Sequence, residues 1–255
     1  MKTIIIDEKT LGDLECLLNG YFEPLSTFMN YDDWKNVCEN LHLKNGDFFP
    51  LPINLAINET ITIGEVINLA DNTNYIIASI KVNNIYKPDI DWECQHAYGT
   101  TDTNHPYVKY KQKHKGKYYI SGSLTKINNF RHYDFIEDRK TPQEVREYFK
   151  INCWKKIVGF QTRNPMHRAH YELTKYALNE IQDPDAKLFL NPVVGETQSV
   201  DIDYNIRVHC YKKLLPYYEN NVLFGLLPLS MRMAGPREAC LHALIRKNYG
   251  CIHFI

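Results

Sequence analysis

Residues 161–170 read Gln161-Thr162-Arg163-Asn164-Pro165-Met166-His167-Arg168-Ala169-His170. Two amides, a hydroxyl, two guanidinium groups and two imidazoles fall within ten residues. The apolar run before this segment predicts a strand, and the periodicity after it predicts a helix, so the cluster sits in a strand-to-helix loop. His167 and His170 are three apart and share one face of the first helical turn. A helix N-terminus adds free backbone N–H groups and a partial positive charge. Together these groups make a site for a polyphosphate. The plain alternative is a helix cap decorated with surface His and Arg, which is the better reading of a lone His but the poorer one of this cluster.

The elements that must position this loop belong to an alternating pattern. Lys156 to Gln161 reads as a strand, Arg168 to Leu178 as a helix, Lys187 to Val194 as a strand and Tyr204 to Tyr217 as a helix. Val222 to Pro228 follows as a strand, Pro236 to Asn248 as a helix, and Cys251 to Ile255 as a final buried strand. Such alternation predicts a parallel sheet with crossover helices. Ligands of these sheets bind beyond the carboxyl ends of the strands, which points to the loops after Gln161, Val194, Pro228 and Ile255. The first half reads differently. Helices are expected at Leu11 to Asn19 and Tyr31 to Leu41. Strands are expected at Leu51 to Ile57, Thr60 to Ile67, Tyr75 to Val82 and Tyr118 to Ile127, as in a compact mixed-β domain. Thr141-Pro142-Gln143-Glu144 has the form of a capping box with Pro at the first helical position, opening a helix from Pro142 to Lys150 near the domain boundary. The expected domains are 1–145 and 146–255.

Composition bounds the function. With 255 residues, 44% of them apolar and 24% charged, the chain builds one large or two modest domains. Its 18 Tyr and 11 Phe fit a substantial β component. Lys+Arg and Asp+Glu are both 30, so a general nucleic-acid partner is not expected, although a local basic pocket for a small anion remains open. The seven Cys are odd in number and form no C-x-x-C pair, which reads as buried reduced thiols of a cytoplasmic protein rather than a disulfide framework or zinc site. No signal peptide and no membrane span of about 18 apolar residues is visible.

The ten-residue string is similar over its whole length to the signature of ATP sulfurylases, and its His-x-x-His pair resembles the motif of a wider nucleotidyltransferase superfamily. Further segments agree in order: Pro192-Val193-Val194-Gly195-Glu196-Thr197 with Asp201-Ile202-Asp203, Arg207 to Tyr211, Leu227 to Ala239, and Ile245 to Cys251. In the first half Gly20 to Leu25, Gly99-Thr100-Thr101-Asp102 and His105-Pro106 also fit. The resemblance implies an α/β plus mixed β chain. A PUA-like N-terminal β domain precedes a Rossmann-like parallel α/β nucleotidyltransferase domain, truncated after the last visible strand.

That resemblance also implies roles. Gln161 and Arg163 map to sulfate contacts, and amide and guanidinium donors suit a tetrahedral dianion. Gln161, Thr162, Arg163, Asn164, His167 and His170 map to the nucleotide, and Gly235, before the last helix, lets backbone approach it. The implied catalytic set is Thr162, Arg163, Asn164, His167 and His170, with the two His steadying charge on the phosphates. No metal is expected on the protein itself, because magnesium comes as MgATP. The substrates would be ATP and sulfate, the products adenylyl sulfate and pyrophosphate. Arg207 and Arg232 either extend the positive pocket or make structural ion pairs. Asp201 and Asp203 either cap a helix or act on ligand. His96, His105 and His114 are expected to be solvated or in the core, and the run Lys111 to Lys117 to be a solvated turn.

Relatives of that family continue after the final strand with a Gly-Arg-Asp-His-Ala-Gly-Pro loop that binds nucleotide and gives sulfate a backbone contact. The expectation is therefore an incomplete catalytic domain: a fragment, one part of a split enzyme joined by a complementing C-terminal part, or a relative without activity. A homo-oligomer is expected on the same resemblance. Two other classes compete: an adenylyltransferase for another oxyanion, and a non-catalytic binding or assembly protein.

Overall fold

The computed structural model describes residues 1–198 and 201–255. By their contacts these residues form two compact units. The first comprises Met1–Leu18, Phe22–Arg131 and Arg232–Leu241, the second Asn19–Tyr21, His132–Met231 and His242–Ile255.

The first unit contains β1 (Lys2–Ile5), α1 (Glu8–Leu18), α2 (Tyr31–Asn40), β2 (Leu55–Ile57), β3 (Val66–Ala70), β4 (Ile76–Tyr86), α3 (Ile90–Tyr98), α4 (Pro106–Gln112) and β5 (Tyr118–Lys126). Its five-stranded sheet has the order β1-β3-β4-β5-β2, parallel between β1 and β3 and antiparallel elsewhere. The third strand begins later than the residue types predict. Thr60 to Glu65 lie outside the strand, with a turn at Ile63–Gly64 in which Gly64 has φ +91° and Glu65 Oε2 accepts from Thr62 N at 3.1 Å. A β-branched run that contains such a glycine cannot stay extended. Two helices, α3 and α4, were not anticipated. Their caps are nevertheless ordinary: Asp89 accepts from Trp92 N and Gly99 ends α3 at φ +73°, while His105 accepts from Val108 N ahead of Pro106.

The expected solvated turn at Lys111 to Lys117 holds for residues 113–116, with Lys113 and Lys115 exposed, but not for Lys111 and His114. Lys111 lies on α4 with only 2% of its surface exposed, and His114 has 5%. Lys111 Nζ pairs with Glu93 Oε1 on α3 at 2.7 Å. Trp34 Nε1 and Tyr119 OH donate to Glu93 Oε2 at 3.0 and 3.1 Å, and Lys111 Nζ also donates to Tyr119 OH at 3.1 Å. A buried ammonium survives only when paired and hydrogen-bonded, and this network meets both conditions. Burial by itself lowers the Lys111 pKa, but Glu93, with Tyr107 and Cys94 beside it, raises the value on balance.

The second unit contains α5 (Pro142–Ile151), β6 (Ile157–Phe160), α6 (Arg168–Glu180), β7 (Lys187–Leu190), α7 (Tyr204–Leu214), β8 (Val222–Phe224), α8 (Pro236–Tyr249) and β9 (His253–Phe254). The residues of α8 up to Leu241 count with the first unit and those from His242 with the second. The capping box of α5 is present, Thr141 N donating to Glu144 Oε2 at 2.7 Å and Glu144 N to Thr141 Oγ1 at 3.3 Å. The α7 helix ends before its predicted limit and continues as a 3-10 turn over Leu215–Tyr218, where Pro216 removes a backbone donor. The four strands are all parallel in the order β8-β7-β6-β9. Every β6 residue is buried. The chain therefore steps outward from β6 to β8 and then returns to the other side of β6, so strand order reverses between β6 and β9. The final strand is not buried as expected: Ile252 is 59% exposed and Ile255 36%. Among the described residues it pairs with β6 alone. Val158, Phe160, Leu188, Leu190, Val208, Tyr211 and Phe224 form the core, joined by Met166 from the loop after β6.

Burial, with Lys111 second, pushes the His114 imidazole down to about 2, so His114 stays neutral in the folded chain. The unfolded chain takes up a proton there near the usual value of about 6.5. Below that value the unfolded state holds the extra proton, and stability falls with pH by about 1.4 kcal/mol per unit. In urea titrations between about pH 6 and pH 4, His114→Gln should lose stability with a slope shallower by that amount. Equal slopes would mean that His114 protonates without unfolding.

Candidate active site

The segment 161–170 leaves the carboxyl end of β6 and enters α6, as its pattern predicts. Two features hold it down. Met166 is buried in the core, and Tyr211 OH donates to Asn164 O at 2.7 Å. Thr162 is also buried, and its hydroxyl closes a local turn, accepting from Asn164 N at 3.1 Å and donating to Asn164 O at 3.0 Å. Gln161 is half-buried, with Nε2 at 3.9 Å from Met231 Sδ. Asn164 and His167 are exposed.

The two imidazoles take up the helix end themselves. His167 Nδ1 accepts from Ala169 N at 3.2 Å, and His170 Nδ1 accepts from His167 N at 3.4 Å. Their rings lie 4.1 Å apart, tilted by 34°. The backbone N–H groups expected to face an anion are thus partly used by histidine. With Nδ1 accepting on both rings, each neutral imidazole carries its proton on Nε2, which becomes the donor. Burial, and after it the neighbouring His167, lower the His170 pKa below the ordinary imidazole value. An anion beside His170 favours its protonated form.

Residues 191–198 and 201–203, after β7, meet this segment. Asn191 N donates to Phe160 O at 2.9 Å and Val193 N to Thr162 O at 3.3 Å. Arg163 Nη1 donates to Asp201 Oδ2 at 2.6 Å, an oxygen that also accepts from Gln198 N at 3.1 Å. Asp201 is therefore a partner of the candidate oxyanion-binding arginine, whereas Asp203 caps α7 by accepting from Asn205 N at 2.9 Å. Arg207 holds the backbone of this loop. Its Nε donates to Ile202 O at 2.9 Å and its Nη1 to Val193 O at 3.0 Å, two carbonyls of the same loop. Arg232, in the first unit, makes a buried ion pair with Asp13 at 2.5 Å. Gly235 also belongs to the first unit, before α8 with φ +57°. His96 is exposed and stacks on Trp92, and His105 and His114 are accounted for above. Among the described residues no group of three or more His, Cys, Asp or Glu converges as metal ligands would.

Residue-by-residue reading missed Gly159 and Gly195. A Cβ on Gly159 would lie 2.8 Å from Arg246 Cγ, and one on Gly195 would lie 2.4 Å from Leu229 O. The signal was available for Gly159, because glycine within a strand often marks a close approach. At Gly195 the obstruction is backbone, so Gly195→Ala should lower the unfolding free energy by about 2 kcal/mol or more. Gly235 has open space around it, so Gly235→Ala meets only the left-handed backbone penalty, about 1 kcal/mol. Chemical denaturation of both variants checks the order; a smaller loss at Gly195 would contradict the packing.

Comparison with known proteins bears on the same segments. A family model described as ATP-sulfurylase matches residues 137–255, and one described as PUA-like domain matches residues 1–129. Sulfate adenylyltransferase of Schizosaccharomyces pombe is 44% identical over 259 residues, covering 99% of this chain and 52% of that protein. Those of Gibberella zeae and Neurospora crassa are 44% and 43% identical, each covering 100% of this chain and 45% of the relative. The chain spans about half the length of the curated relatives it matches. Among solved structures, one titled hexameric APS kinase from Thiobacillus denitrificans superposes with a TM-score of 0.81 at 25% identity, covering 100% of this chain and 47% of that one. The two matched regions follow one another along nearly all of the sequence, and the loops that bring Gln161, Arg163, His167 and His170 to one strand end lie within the second: the chain carries a PUA-like domain, followed by a region, residues 137–255, that matches the ATP-sulfurylase family.

Proposed function

We propose that this chain takes part in adenylyl transfer from MgATP to sulfate, giving adenylyl sulfate and pyrophosphate. The observation that carries the reading is the loop after β6. It sets Gln161, Arg163 and the His167–His170 pair at the carboxyl end of a parallel strand, beside the point where strand order reverses. The names of its relatives support it. On this reading the strand order β8-β7-β6-β9 is a Rossmann-like arrangement that uses its switch point for the nucleotide.

Sulfate is fully ionised near pH 7 and needs no general base. One of its oxygens attacks the α-phosphorus, the bond from that phosphorus to the bridging oxygen breaks, and pyrophosphate leaves. Catalysis is then positioning and charge stabilisation. Gln161 and Arg163 hold the sulfate, and Arg163 exchanges its Asp201 carboxylate for it. Thr162 and Asn164 shape the turn that presents these side chains. His167 and His170 donate from Nε2 to the phosphates as negative charge builds. Magnesium arrives with the nucleotide, held by phosphates and water. We also propose a cytoplasmic setting, a role in sulfate assimilation, and work as a homo-oligomer or together with a complementing C-terminal part. No helix among the described residues is long and apolar enough to cross a membrane.

The test is pyrophosphate release from MgATP by the chain with and without sulfate. Release should depend on sulfate, and Arg163→Ala and His167→Ala should each lower kcat/KM by about a hundredfold or more. Wild-type rates in both variants would show that the site is assigned wrongly.

A further inference from the structure

Two arginines of the second unit are buried without a carboxylate. Arg246, on α8, is 0% exposed and Arg207, on α7, is 2% exposed, and among the described residues neither makes an ion pair with Asp or Glu within 4.0 Å. Every other buried or half-buried cation already described has its acid: Lys111 has Glu93, Arg232 has Asp13, and Arg163 has Asp201. A guanidinium withdrawn from water with no counter-charge is costly, so its place calls for a reason.

Both arginines grip the same short stretch of backbone. Arg246 Nη2 donates to Asn191 O at 2.5 Å and Arg207 Nη1 donates to Val193 O at 3.0 Å. That stretch is hydrogen-bonded in turn to Phe160 O and Thr162 O, at the end of β6 where the candidate site begins. Arg246 is fitted closely there. Gly159 has no side chain where the Arg246 stem passes, Phe254 of β9 lies 5.8 Å from the guanidinium, and His242 Nδ1 is 2.8 Å from Nη1. Its Nε, like the Oδ1 of the fully buried Asn191, has no hydrogen-bond partner. Burial lowers the Arg246 pKa to about 10, which leaves it protonated at neutral pH.

We propose that Arg207 and Arg246 are positioning residues that form a buried cationic clamp on Asn191–Val193, and that its charge is balanced by the polyanion bound in the crevice beyond β6 and β7. The clamp fixes the second loop against the first. It also leaves the unit with positive charge that no internal acid quenches, so binding of a phosphate chain supplies the missing counter-charge. Charges in a poorly solvated interior act over longer distances than surface charges do. This inference rests on the reading of the crevice as a polyphosphate site.

The test is calorimetric titration of inorganic pyrophosphate into the wild-type chain and into Arg246→Lys, Arg246→Met, Arg207→Lys and Arg207→Met. The clamp predicts affinity within about threefold of wild type for the lysine variants, and a weakening of tenfold or more for the methionine variants. A steeper dependence on salt in the wild type than in the methionine variants should accompany it. A purely structural role predicts lower melting temperatures with lysine and methionine alike, and unchanged affinity of the folded protein; that result would overturn the clamp. If one methionine variant does not fold, the other carries the same comparison. Absence of pyrophosphate binding by the wild type would overturn the polyphosphate reading and the clamp together, whereas equal binding by wild type and methionine variants would overturn the clamp alone.

Discussion

Two backbone hydrogen bonds, from Asn191 N to Phe160 O and from Val193 N to Thr162 O, determine how the chain leaves the parallel sheet of the second unit. They extend the β6–β7 pairing past the last regular residues of both strands and so bring the loops that follow into register. Everything proposed for the site depends on that register. Arg163 reaches Asp201 because its own loop and the Asp201 loop start from paired positions. Met166 can anchor the first loop in the core because the loop turns back at Thr162.

The glycines serve the same constraint. Without a side chain, Gly159 admits the stem of Arg246 against β6, and Gly195 lets the second loop lie on the backbone of Pro228 and Leu229. Buried charge is handled differently in the two units. In the first, Lys111 and Arg232 are each matched by an acid and surrounded by aromatic rings, so the groups are closed on themselves. In the second, Arg207 and Arg246 spend their donors on carbonyl oxygens and keep their charge. The imidazoles of His167 and His170 take up backbone N–H groups at the start of α6 with their Nδ1 atoms.

Local chemistry made much of this legible before any coordinates. The alternation of strands and helices after Lys155, the capping box at Thr141 and the strand-to-helix position of the loop 161–170 follow from patterns within one turn or one strand. What escaped was set by partners distant in sequence. Lys111 looks solvated among its basic neighbours, and only the fold brings Glu93 to it. The Cys251 to Ile255 segment is apolar enough to be central, but among the described residues it pairs with β6 alone. The role of Asp201 was equally hidden, because Arg163 is 38 positions away.

Direct attack of sulfate on the α-phosphorus is the central claim, and transfer of isotope tests it most directly. The chain would be given MgATP and sulfate labelled with oxygen-18, and the adenylyl product read by phosphorus NMR. The account predicts a product phosphorus that carries one labelled oxygen, in the bridge to sulfur, with the signal lost in Arg163→Ala. A product whose phosphorus carries no label, or no sulfate-dependent product from the folded chain, would contradict it.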